Sequence, residues 1–137
     1  MLKMNKKIFF IPLLASFLFF VVYLLLAQTG NFLSVEPGYS INDVSRWCER
    51  ISGGYFREPS NALSNIGFIT TGLIMFWILS REPKGKSRFH GASPTAIIFA
   101  TAALFLGPGS LLMHGTHTAW GQWADWLSMI IYISIPW

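Results

Sequence analysis

The sequence predicts an all-α fold, a polytopic bundle of about four membrane-spanning helices, and three observations carry that expectation. Of its 137 residues, 53% are hydrophobic and only 12% charged, about half the charged fraction of an ordinary soluble domain. Apolar runs of about twenty residues recur, the length that crosses a hydrocarbon core of about 30 Å at 1.5 Å rise per residue. The lysines and arginines stand in short clusters beside those runs. This composition excludes an ordinary water-soluble enzyme. The formal net charge of +4 implies no nucleic acid partner, since the basic residues form neither a stripe nor a recognition helix. It points to membrane orientation instead. A single cysteine, Cys48, leaves no intrachain disulfide and no all-cysteine metal site.

The first run, Ile8 to Ala27, is uncharged and follows Lys3, Lys6 and Lys7. A cleaved signal peptide has an apolar stretch of only about 7 to 15 residues and a small-residue cleavage site, so an uncleaved signal-anchor helix is expected over residues 1–27. Residues 28–59 turn polar, with Pro37, Gly53-Gly54 and most of the acids, Glu36, Asp43, Glu49 and Glu58. This is an extracytoplasmic segment. Within it Asn42 or Asp43 is expected to cap a short amphipathic helix through Val44, Trp47, Cys48 and Ile51, lying at the headgroup level.

Residues 60–137 form the membrane domain. Its first span, the second of the chain, runs from about Ser60 to Ser80 and opens with Ser60, Asn61, Ser64 and Asn65, whose helical spacing lets them share a buried face. The loop from Arg81 to Ser93 sets Arg81, Lys84, Lys86 and Arg88 against Glu82, which marks it as cytoplasmic. A third span, Pro94 to about His114, is interrupted by Gly107-Pro108-Gly109. A fourth starts near Trp120 and is still apolar at Trp137, so the chain is expected to be a piece of a longer protein. The N-terminus is then cytoplasmic, and the short turn from Gly115 to Ala119 faces the other side.

In the third and fourth spans the ionisable groups are His114, His117, Asp125 and the phenol of Tyr132. An acid at a helix centre costs about 2.5 to 3.5 kcal/mol on insertion scales, so Asp125 is a functional residue by default. Ser110 and His114 are one helical turn apart, and a short turn makes the two spans antiparallel neighbours, with Asp125 near the depth of Ser110. The three can converge. Two readings stay open on these grounds: a metal site, or a helix pair held together by a buried histidine and aspartate. His117 is either a second ligand or an interfacial residue in a wet turn, and the turn beginning near it favours the second.

The run Gly107-Pro108-Gly109-Ser110-Leu111-Leu112-Met113-His114-Gly115-Thr116, continued by Gln122, Asp125 and Met129, resembles the G-x-G-S-x-x-x-H-x-T…Q-x-x-D-x-x-x-M signature of the alkaline ceramidase family. Trp47-Cys48-Glu49, followed by Glu58, Asn61, Ser64 and Asn65, is similar to that family's W-C-E…N-x-x-S-N entry into its first core helix. The likeness covers roughly residues 46–137. It implies the N-terminal half of a seven-helix core, of the group that includes the adiponectin receptors, with residues 1–27 as an added anchor. It also implies hydrolysis of the amide of ceramide to sphingosine and a fatty acid, a lipid substrate taken from the membrane, and Zn2+ as cofactor. His114 maps onto a zinc ligand, Ser110 onto the active-site serine and Asp125 onto the aspartate near the zinc-bound water.

Two departures bear on the chemistry. The family completes its zinc site with two histidines one turn apart on the last core helix, and residues 1–137 hold no such pair, so activity is expected only if a further segment supplies it. Some members bind calcium around the W-C-E motif, and the remnant of that site here is Trp47, Glu49 and Glu58. Arg46 and Ile51 replace an aspartate and an asparagine, and a guanidinium repels a cation that needs about six to eight oxygens. Calcium is therefore not expected, and Glu49 is left to pair with Arg46, Arg50 or Arg57. The alternative to an enzyme is a non-enzymatic receptor or pseudoenzyme on the same scaffold.

Overall fold

A computed structural model describes residues 5–30, 32, 40–41, 44–83 and 91–135. The first apolar run forms α1 (Lys6–Gln28, 23 residues). Pro12 sits inside it, and the Ser16 hydroxyl, one turn on, donates to the Pro12 carbonyl at 2.9 Å. A two-stranded antiparallel hairpin follows, β1 (Ser40–Ile41) with β2 (Val44–Ser45), pairing Ser40 with Ser45 and Ile41 with Val44. The second span is built from α2 (Pro59–Ser64) and α3 (Ile66–Leu79), jointed at Asn65. The third is α4 (Pro94–Thr116, 23 residues), and α5 (Ala119–Ser134, 16 residues) follows where a fourth was expected.

The fold is all-α apart from the hairpin. Among the described residues, three stretches are long and apolar enough to cross a membrane: α1, α2 with α3, and α4. Most of α1 shows its Leu, Ile and Phe side chains outward, as a helix bathed in lipid does. Helix α4 is the packing centre, gripped by α3 along one side and α5 along the other. Asn5 at the start of α1 donates its N–H to the Ser80 carbonyl at 2.7 Å, so the start of α1 and the end of α3 share one end of the bundle.

Local chemistry explains the helix ends. Ser93 caps α4 by accepting the Ala96 N–H at 3.2 Å, and Pro94 occupies the first turn, where its missing N–H costs nothing. Thr118 caps α5 in the same way, accepting from Gly121 at 3.2 Å. The link between α4 and α5 is thus only His117 and Thr118, which makes the two helices antiparallel neighbours.

Three expectations change. No amphipathic helix forms at Val44 to Ile51. The Ser45 hydroxyl accepts the N–H groups of Trp47 and Glu49, and the Ser45 N–H donates to the Glu49 carbonyl at 2.7 Å, which closes the chain into a tight turn with Cys48 at φ 64°. A serine that bonds its own neighbouring backbone competes with a helix there. The Gly107-Pro108-Gly109 stretch does not interrupt α4, which runs through it unbroken. Of the polar cluster, Asn65 is buried and its amide donates to the Asn61 carbonyl, whereas Ser60 and Ser64 are exposed. The proposed cap at Asn42 or Asp43, Lys3, the basic residues Lys84, Lys86 and Arg88, the residues Glu36 and Pro37, and Trp137 lie outside the described residues.

Glycines in α4 and α5 serve close approach. A Cβ at Gly109 would meet the Ser128 side chain and come within 2.8 Å of the Ala124 carbonyl; one at Gly121 would come within 2.7 Å of the Leu112 carbonyl. These two contacts fix the α4–α5 register, and in it Asp125 stands level with Ser110. Gly109→Ala is expected to destabilise the protein by about 1–3 kcal/mol through overpacking. Gly67→Ala, with nothing within 4 Å of its Cβ, is expected to be neutral or slightly stabilising. Thermal unfolding of both variants in detergent checks the contrast.

Candidate functional site

The carboxylate of Glu58 is the centre of the site and is fully buried, at 0% exposure. It precedes Pro59 at the start of α2, where a proline ends the extended segment and begins the helix. Its neighbours bind it to α4 through the backbone. The N–H groups of Arg57 and Glu58 donate to the carbonyls of Gly115 and His114, each at 3.0 Å, and so satisfy acceptors that the last turn of α4 leaves without intrahelical partners.

Glu58 then receives both histidines. His114 Nδ1 lies 2.6 Å from Oε2, and His117 Nε2 lies 2.6 Å from Oε1. The Asn61 amide donates to Oε2 at 2.8 Å, and the Ser45 hydroxyl donates as well. Burial pushes the Glu58 carboxyl up, but the hydrogen bonds from His114, His117, Ser45 and Asn61 outweigh it and hold the group well below the usual carboxylate range. An ionised Glu58 can only accept, so each imidazole presents an N–H to it.

His117 reaches Glu58 because its backbone adopts the left-handed conformation, φ 53°, at the end of α4. Glycine is the residue that normally takes this position. A histidine held there instead is a strain that its surroundings must fix, and the Glu58 bond is part of that fixing. His117 is 1% exposed, so the expectation of an interfacial residue in a wet turn is wrong: its ring is turned inward onto Glu58.

The W-C-E turn supplies the wall. The Trp47 ring meets the His114 ring edge-on at 5.9 Å between centroids. Glu49 ties the turn to α2: its two oxygens accept the N–H groups of Ser60 and Asn61 at 2.7 and 2.8 Å. Burial raises its carboxyl and those bonds lower it further, for a net downward shift. The Arg57 guanidinium, also buried, donates to the Phe32 carbonyl at 2.9 Å, and Arg46 lies over the Trp47 ring.

Ser110, half-buried on α4, stands one turn before His114, and Asp125, buried on α5, faces that level by the register above. Among the described residues neither the Ser110 hydroxyl nor the Asp125 carboxylate forms a side-chain hydrogen bond to the other or to His114. The geometry that sequence reasoning missed is the Glu58 bridge. Its signal was present: two histidines three residues apart can share one acid, and Glu58 is an acid set against a helix start.

Among the described residues no three His, Cys, Asp or Glu side chains are grouped to hold a metal ion. One of them fits a ligand. Histidines that bind metals typically donate their other ring N–H to a carboxylate, which fixes tautomer and ring orientation. His114 meets its carboxylate through Nδ1, and among the described residues its Nε2 has no hydrogen-bond partner. Of the residues matched to a calcium site, each oxygen of Glu49 and Glu58 accepts at least one hydrogen bond.

Apolar spans with a buried, histidine-bridged carboxylate at one bundle end define a helical membrane protein with a preorganised polar site. A family of sequences described as Ceramidase matches residues 43–137, well over half of the chain, and the chain belongs to the ceramidase family. No curated protein and no solved structure matches it.

Glu58→Gln is expected to cost about 3 kcal/mol of stability near neutral pH, because it replaces a charged acceptor of several hydrogen bonds. The native carboxyl holds its proton less readily than the unfolded one, so its stabilisation is present above the usual carboxylate range and lost as the pH falls below it. The gap between wild type and Glu58→Gln should therefore close on acidification in pH-dependent unfolding measurements.

Proposed function

We propose that this protein is a zinc-dependent hydrolase of ceramide or a related N-acyl lipid. The observation that carries the reading is the His114 imidazole, pinned through Nδ1 to the buried Glu58 and leaving Nε2 available, one turn from Ser110 and near the level of Asp125. A family match over the same residues supports it.

In this reading His114 is a zinc ligand, and the other two protein ligands that a catalytic zinc keeps are the histidine pair that the family carries on its last core helix, a motif not found in residues 1–137. A zinc ion held by His114 and that pair would supply a Lewis acid for the amide carbonyl and would bring the pKa of a water toward about 7. The residues of this chain do the rest. Glu58 holds the His114 ring in one tautomer and one orientation. Asp125 orients the attacking water and takes up its proton, which passes to the amine as the C–N bond breaks, giving a fatty acid and a sphingoid base. Ser110 donates its hydroxyl to the negative charge that develops on the carbonyl oxygen; no acyl-serine is required.

His114→Ala in the intact protein is expected to remove bound zinc and to abolish fatty acid release from labelled ceramide. Metal analysis and the hydrolysis assay check both, and retention of either would overturn the reading. Stoichiometric zinc with no hydrolysis across a panel of N-acyl lipids would favour a receptor or pseudoenzyme instead.

The same reading places the N-terminus in the cytoplasm. Lys6, Lys7 and Arg81 gather at the bundle end joined by the Asn5–Ser80 hydrogen bond, and the positive-inside rule sets that end inward. The site then faces outward. Cys48, the only cysteine of the chain and an exposed one, is expected to react with a membrane-impermeant maleimide added outside sealed right-side-out vesicles. Labelling only after permeabilisation would reverse the orientation.

A further inference from the structure

Helix α1 lies outside the stretch that matches the ceramidase family, yet one of its residues is built into the support of the site. Tyr23 is 2% exposed, on a helix whose other large side chains are mostly turned outward. Its ring stacks on Phe56 at 5.1 Å with an interplanar angle of 11°, and on Phe32 at 5.3 Å. Its hydroxyl donates to the Tyr55 carbonyl at 2.9 Å. Ala62 and Leu111 complete this cluster.

The position of Tyr23 along the site is specific. A Cβ on Gly115 would collide with the Tyr23 hydroxyl oxygen and come within 3.1 Å of Cζ. Gly115 is the residue whose carbonyl accepts the Arg57 N–H, beside the His114 carbonyl that accepts the Glu58 N–H. Tyr23 therefore touches both sides of the seam between residues 55–58 and the end of α4, the seam on which the Glu58–His114 distance depends. A helix serving only as an anchor needs no buried tyrosine and no glycine opposite it.

We propose that Tyr23 is a positioning residue: through Tyr55, Phe56 and Gly115 it clamps the Glu58 segment against α4 and so sets the orientation of the His114 and His117 rings. Its consequence for catalysis rests on the hydrolase reading above; the clamp itself does not.

The test uses the full chain in lipid nanodiscs with 15N-labelled histidine. Wild type is expected to show strongly downfield imidazole N–H protons from the two Glu58 bonds, identified by their loss in Glu58→Gln. Tyr23→Phe keeps the ring and loses the hydroxyl, and Gly115→Ala pushes the ring away. Both are expected to shift or broaden those resonances while helix content stays at the wild-type level. In the hydrolysis assay Tyr23→Phe is expected to lower kcat by about tenfold or more with little change in KM, as misplacement of a catalytic group does. Unchanged resonances in Tyr23→Phe and in the more severe Tyr23→Ala overturn the clamp, whatever the activity. Shifted resonances in a protein whose wild type releases no fatty acid uphold the clamp and remove the hydrolase reading.

Discussion

A carboxylate sealed from water must be bonded on every side or it will not stay charged, and the structure around Glu58 follows from that requirement. Two imidazoles, an amide and a hydroxyl converge on it from three separate segments: the W-C-E turn, the start of α2 and the end of α4. The end of α4 is the distant one, His114 standing 56 residues beyond Glu58. The charge is what makes their meeting specific, because each partner that moves away leaves a buried lone pair without a donor. Apolar side chains facing lipid provide no comparable selection, since lipid competes with their packing on equal terms.

Close backbone approach is the second condition. The contacts at Gly109 and Gly121 bring α5 against α4 near the depth at which Ser110 and Asp125 stand. Between these helices a larger residue would widen the gap, and the two polar side chains would then separate. Small residues thus do for the α4–α5 pair what the Glu58 bonds do for the α2–α4 pair.

Much of this was legible in the sequence. Uncharged runs of about twenty residues mark the spans because every backbone polar group in hydrocarbon must be paired within its own helix, and the described α1, α2 with α3, and α4 follow those runs. Ser93 before Pro94, and Thr118 before α5, are cap signals that act locally and are read locally. What periodicity could not supply was anything decided between segments. Val44, Trp47, Cys48 and Ile51 have helical spacing, but Ser45 claims the backbone of Trp47 and Glu49, and the Glu49 carboxylate is taken by α2. His117 looked exposed because a turn was expected from Gly115 to Ala119. The helix instead persists to Thr116, which shortens the turn and folds the side chain inward. The Gly107-Pro108-Gly109 stretch read as a break because glycine and proline weaken an isolated helix; packing against α5 and α3 overrides that weakness.

Depth ties the site to the substrate proposed for it. Ser110 lies six residues before the end of α4 at Thr116, which is about 9 Å at 1.5 Å per residue. Headgroup and interfacial layers occupy about 5–8 Å on each side of the hydrocarbon core, so a group at that depth sits just below them if the end of α4 is at the water boundary. The amide of an N-acyl lipid joins the polar head to the acyl tail and lies at that same level. A soluble hydrolase must lift such a bond out of the bilayer, whereas in the proposed reading Ser110 on α4 and Asp125 on α5 would meet it where it already is. In that reading the Glu58 cluster, one turn nearer to water, would hold the His114 ring in place within reach of both the lipid amide and an attacking water.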